Sequence, residues 1–311
     1  NRADTAAPQI DTTGLPKEVK PAFAFGLDAQ QLQPVIQMLM FQAGPEAAPV
    51  QAQLEAMGLY GPDASTITVV SGYGADRAHM AMRYTNYRQI LEKTKMLSTK
   101  RVNADVLKRV PADAGWAQIT AAKLSGFGDM IAYWAKTAAE QEGRDDVDPM
   151  AMIEQQTGIN PQRHIFAHLG DYYGAYTSDT TGGGGFMSLA AFMEVTNPGE
   201  LAKTMARING MVNQMAQQHA GGYVRIAERK YEDLTVTTLT FPGIPVPLEV
   251  SWSLADGWLY GAASPQALLA AVKHARSGKD NLTSNPRFKE MGGAALGDAI
   301  QVTFLDTPRL V

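Results

Sequence analysis

The stretch Phe25-Gly26-Leu27-Asp28-Ala29-Gln30-Gln31-Leu32 returns near the other end of the chain as Thr303-Phe304-Leu305-Asp306-Thr307-Pro308-Arg309-Leu310. Each copy reads as an apolar strand that runs into an acidic N-cap and then a helix. The alternation ends at a carboxylate able to accept the free N–H groups of a first helical turn. A chain that repeats this junction must build a strand–helix–sheet unit more than once. Two further matches fall in the same order. Tyr84-Thr85-Asn86-Tyr87-Arg88-Gln89-Ile90-Leu91 corresponds to Ala262-Ala263-Ser264-Pro265-Gln266-Ala267-Leu268-Leu269, and Val102-Asn103 with residues 107–120 corresponds to Ser284-Asn285 with residues 288–303.

These matches divide the chain into four parts. Residues 1–21 carry three prolines and no periodicity, and read as a linker or extended arm. A first, shorter α+β unit covers 22–115, and a second, longer one covers 116–298. Residues 299–311 open a third unit that stops after about one helical turn, too short to be stable alone. The repeat therefore predicts further chain beyond Val311, with the strand at Ile300 to Thr303 still pairing with the sheet of the second unit.

Within the first unit, a strand at 21–27 leads through the N-cap Asp28 into a helix with Leu32, Val35, Ile36 and Leu39 on one face. Gly44-Pro45 ends it. A second helix bears Val50, Leu54 and Met57 and is capped by Gly58, and strands at 66–73 and 77–84 form a hairpin. In the second unit the strand Trp116 to Thr120 precedes a long helix with Phe127, Met130, Ile131 and Trp134. A helix over 149–157 is capped by Gly158, strands follow at 172–177 and 186–195, and a helix over 198–218 starts from Asn197. Hairpins join 223–228 to 235–241, and 249–254 to 258–262 across Ala255-Asp256-Gly257, where glycine suits positive φ. Runs of strands joined by hairpins predict an α+β fold, with repeated units of antiparallel β-sheet and helices packed on one face.

Hydrophobic residues make up 45% and charged residues 19%, a globular balance, and the net charge is −4 with the signs interspersed. No basic stripe is available to neutralise phosphates, so nucleic acid is not a partner. The chain has no cysteine, which excludes disulfides, thiolate metal sites and a cysteine nucleophile. No apolar run approaches the ~20 residues that span a bilayer.

The unit ends carry a resemblance. Leu254-Ala255-Asp256-Gly257-Trp258-Leu259-Tyr260-Gly261-Ala262-Ala263-Ser264-Pro265, Leu282-Thr283-Ser284-Asn285-Pro286-Arg287-Phe288, and Thr157-Gly158-Ile159-Asn160-Pro161 with His168-Leu169-Gly170-Asp171 resemble a widespread family of bacterial secreted or envelope proteins catalogued as a domain of unknown function. The resemblance covers roughly 115–305, and 22–115 more loosely. It implies export, commonly behind a signal peptide or membrane anchor, and it brings no catalytic residues with it.

Four constellations were weighed for chemistry. His164 and His168 are spaced to share a metal on a helix, but no carboxylate stands near except Asp171. Glu142, Asp145, Asp146 and Asp148 lack the spacing and glycine of a calcium loop. Gly182 to Gly185 is followed by a strand, where a phosphate cradle needs a helix N-terminus, so it reads as a hairpin tip. Met38, Met40, Met80, Met82, Met187, Met193, Met205, Met211 and Met215 follow strand and helix periodicities and read as core filling. No catalytic, cofactor-binding or metal-ligating residue is assigned, and no cofactor.

The sequence therefore points to a non-enzymatic, extracytoplasmic envelope protein acting as an interaction or scaffold module, its partners other envelope proteins or a second copy. The alternative is a carrier of an apolar ligand, lipid or apolar peptide, in a Met-rich groove. A hydrolase without a sequence-visible centre comes third.

Overall fold

The computed structural model describes residues 20–47, 50–51, 54–55, 58–62, 64–73, 78–93, 95–141, 148–182, 185–219, 221, 223–241, 249–290, 292–293 and 299–306. The arm expected over 1–21 lies outside these except for Lys20 and Pro21. The chain is α+β with antiparallel sheets, and it divides into two compact units. One comprises Asn1–Thr94 and Tyr133–Val147, the other Lys95–Ala132 and Asp148–Val311. The boundary placed at 115/116 thus moves to 94/95. Residues 95–115 are tied into the second unit by backbone hydrogen bonds from Val102 to Ala299, Ala112 to Asp280 and Leu282 to Val110.

In the first unit β1 (Lys20–Asp28), β2 (Thr66–Tyr73) and β3 (Ala78–Tyr84) form an antiparallel sheet in that order. Helix α1 (Ala29–Ala43) follows β1 directly. The Asp28 carboxylate accepts the Gln30 N–H at 3.0 Å, which is the cap its sequence position predicts, and the helix stops at Gly44 with φ 64. Gly58 has φ 68, matching Gly158 at φ 66, the two capping glycines read from sequence. α2 (Tyr87–Lys93) follows β3.

The second unit holds an eight-stranded antiparallel sheet ordered β11-β4-β5-β6-β10-β9-β8-β7. Its strands are β4 (Ala114–Ala121), β5 (Leu169–Ser178), β6 (Leu189–Val195), β7 (Arg225–Tyr231), β8 (Leu234–Thr240), β9 (Val250–Ala255), β10 (Trp258–Ala262) and β11 (Gln301–Leu305). Its helices are α3 (Ala104–Leu107), α4 (Ser125–Gln141, whose last residues group with the first unit), α5 (Pro149–Thr157), α6 (Pro161–His164), α7 (Pro198–His219), α8 (Pro265–Ser277) and α9 (Pro286–Glu290). Strand β6 starts later than expected: Phe186–Ser188 is a 3-10 turn, because Gly185 at φ 67 redirects the chain before it.

Burial alternates strictly along β5, so one face of this sheet is covered. Onto that face pack Leu268, Ala271 and Val272 of α8, with Val106 and Leu107 of α3 and Phe288 of α9. Cross-strand partners Ile119 and Val302, and Ala117 and Phe304, fill it at the β4–β11 edge. The strand at the end of the chain therefore closes this sheet, as its intact alternation predicts. Asn103 and Asn285, paired in the sequence match, both cap short helices: Asn103 accepts from Asp105 and Val106, and Asn285 from Phe288. Among the described residues no helix is long and apolar enough to cross a membrane.

Candidate functional site

The second unit carries a cleft of about 360 Å³ lined by Arg109, Asp256, Tyr260, Ala275 and Arg276. Local rules place each side chain. Arg109 sits in the turn that ends α3, its N–H bonded to the Val106 carbonyl. Trp258 and Tyr260 are alternate residues of β10 and so share a face. Asp256 occupies the tight turn between β9 and β10, and Arg276 the last turn of α8.

The two guanidinium groups are held differently. Arg276 donates through Nε to Asp256 at 2.8 Å, and through Nη1 and Nη2 to Asp233 at 3.1 and 2.8 Å. The two carboxylates keep it firmly protonated, while its hydrogen bond holds Asp233 below the usual carboxylate range. Arg109 instead lies over the indole of Trp258, 3.7 Å from the ring centroid, and its Nη1 donates to the Tyr260 hydroxyl. Its Nε is buried without a hydrogen-bond partner among the described residues. Trp258 in turn meets Phe192 edge-on at 5.7 Å. Burial pushes the Tyr260 and Tyr176 phenols up, so both are neutral at physiological pH. These side chains offer one cation, a phenol and an aromatic wall.

Next to the segment that bears Arg109, burial lowers the pKa of His274, whose Nε2 has no hydrogen-bond partner among the described residues. Asp113 accepts the Thr180 N–H and hydroxyl on one oxygen, both at 2.9 Å, and its other oxygen is buried without a partner. A second polar group is fully interlocked. Lys100 reaches both Glu194 oxygens at 3.1 and 3.0 Å, Glu194 accepts the Asp171 N–H at 2.8 Å, and Ser98 donates to Asp171 at 2.5 Å.

The sequence candidates fall elsewhere. His164 accepts the Asn160 N–H on Nδ1 at 2.8 Å, a bond that helps shape α6 and removes one of its two ligating nitrogens. Among the described residues no three His, Asp or Glu side chains converge on a metal-sized site. Asp148 caps α5 through Met150 and Ala151, while Glu142, Asp145 and Asp146 lie outside the described residues, as do Gly183 and Gly184. The methionines read as core filling divide: Met40, Met187, Met193, Met205 and Met211 are half-buried, while Met38, Met80 and Met215 are exposed. Sequence reasoning placed Trp258 and Tyr260 on a hairpin strand, gave them no part in a site, and missed Arg109. The alternation of β10 was the available signal.

In the first unit, one apolar face of the sheet is partly open to solvent. Phe23, Phe25 and Leu27 pair with Ser71, Val69 and Ile67, and Ser71 and Ile67 pair with Met80 and Tyr84, which sets them on one face. Phe23 is 56% exposed, Phe25 49% and Met80 77%, whereas Val70, pointing the other way, is 2% exposed. Helix α1 exposes Val35, Met38, Leu39 and Phe41 as well, so the stripe expected to enter a core remains at the surface. Compared with protein-family models, with curated proteins and with solved structures, the chain matches none at a significant level.

Proposed function

We propose that this chain is a non-enzymatic interaction module of the bacterial cell envelope, which associates with a second copy of itself through the sheet face of its first unit. The observation that carries this reading is the apolar face on which Phe23, Phe25 and Met80 are exposed beside the half-buried Leu27, Ile67 and Val69. Contiguous apolar surface of this kind marks association sites. A second copy is favoured by charge: apart from Lys20 at its margin, the described residues of the face include no Lys, Arg, Asp or Glu to repel an identical face or to select a dissimilar one. Strands β1 and β3 are the edges of their sheet, and antiparallel edge pairing between copies is self-complementary. The envelope location draws on the family resemblance and fits a chain free of cysteine. An apolar carrier has less behind it, because Met38, Met80 and Met215 stand at the surface and the cleft of the second unit is polar.

Sedimentation velocity on the full chain across a concentration series tests the reading. The wild type forms a dimer, and Phe25→Lys or Met80→Lys weakens it by at least about tenfold, because a charge is desolvated in the middle of the contact. A wild type that stays monomeric throughout would end the self-association reading.

A further inference from the structure

We propose that Arg109 and Tyr260 form a binding site for a small carboxylate ligand in the cleft of the second unit. Half-buried guanidinium groups ordinarily meet a carboxylate, because desolvating the charge is costly. Arg276 has two such partners, Asp233 and Asp256. Arg109 makes no ion pair among the described residues: its contacts are the Trp258 ring and the Tyr260 hydroxyl. The uncompensated charge of the lining is therefore the charge of Arg109.

The hydrogen-bonding pattern of Arg109 narrows the ligand further. Nη1 is taken by Tyr260, and Nε, on the opposite edge, is buried with no acceptor among the described residues. Nε–H and Nη2–H on that edge point in parallel, and once the atoms that cover Nε give way they form the fork that matches a planar two-oxygen anion. Trp258 fixes the plane of the guanidinium, which limits the ordering needed when a ligand arrives. A single negative charge fits better than a phosphate. Among the described residues one cation of the lining is free, Arg109, the Asp256 carboxylate shares the lining, and a dianion would meet more repulsion than compensation. A cleft of 360 Å³ is near the lower end of ligand-sized cavities and suits a small molecule.

The test follows the indole N–H resonance of Trp258 in the full-length chain during titration with benzoate, benzamide or inorganic phosphate. Benzamide keeps the shape of benzoate without its charge. Saturable shifts with benzoate, none with benzamide, and binding of phosphate at least about tenfold weaker support the site. Arg109→Lys keeps the charge and loses the fork, and weakens benzoate binding by about tenfold or more. The proposal is overturned by an unresponsive Trp258 in the wild type, by equal response to benzamide, by tighter phosphate binding, or by undiminished affinity in Arg109→Lys. The acid–amide comparison uses the wild type alone, so it decides the matter even where the variant fails to fold.

Discussion

Phe192 closes over Gly174: a β-carbon added to the glycine would stand 2.6 Å from the ring Cζ and 2.9 Å from the Gln118 carbonyl oxygen. The two residues are cross-strand partners on β6 and β5, and the same ring reaches Trp258 beside the cleft. Gly174→Ala forces this contact apart and should cost about 1–3 kcal/mol. Phe192→Ala empties the position and should cost about 3–5 kcal/mol. In urea denaturation the double variant should be more stable than the sum of the two losses, since removing the ring removes most of the clash. Additive losses would show that the ring is not what confines Gly174.

The β9–β10 turn places Asp256 at φ 52 and Gly257 at φ 78. Two consecutive left-handed residues give the turn that matches the twist of a hairpin, and an Asp-Gly pair is suited to it. Gly257→Val puts a β-branched side chain there and should cost on the order of 1–3 kcal/mol, whereas Gly257→Asn should lose less than half as much. Equal melting temperatures for the two variants would contradict the turn geometry.

His274 is 8% exposed, and burial lowers its pKa below the ordinary value of 6.5. A folded-state pKa that is depressed means the unfolded chain binds the proton first. The stabilising effect of the neutral imidazole is thus present in full above pH 6.5 and is lost as pH falls from there through the folded value. Chemical denaturation should show stability declining on acidification through this window, and His274→Leu should flatten the decline. An unchanged slope in that variant would assign the pH dependence to other groups.

Methionine exposure predicts an order of oxidation. Under mild peroxide, Met80, Met38 and Met215 should convert to the sulfoxide well before Met150, which is buried. Peptide mass spectrometry reads the order directly. Early oxidation of Met150 would mean that the start of α5 opens readily.

Local chemistry was legible and long-range pairing was not. Asp28 and Asn197 announce their helices because a cap is written within three residues of the N–H it accepts. Gly58, Gly158 and Gly257 likewise show where the backbone turns left-handed. In α1, by contrast, the spacing of Leu32, Val35 and Leu39 has the period of a core-facing helix, and periodicity does not say whether anything covers the stripe. Arg109 was invisible for a related reason. Its partners Trp258 and Tyr260 come from a distant strand, and nothing beside Arg109 in the chain marks the meeting. Met38, Met80 and Met215 misled because their spacing suits a core while their positions fall on solvated faces.

The pairing of β4 with β11 has a temporal consequence. Gln301 lies opposite Thr120, and Leu305 opposite Trp116, with almost the whole second unit between them in the chain. On the ribosome, the outer edge of β4 must therefore stay unpaired until residues 301–305 emerge. Contacts so far apart in sequence form late and slow the folding of the sheet. During that interval β4 is a strand in search of a neighbour, open to pairing with another nascent chain. A holdase that masks this edge until translation passes Leu305 should raise the yield of native protein more than one that acts on the finished chain.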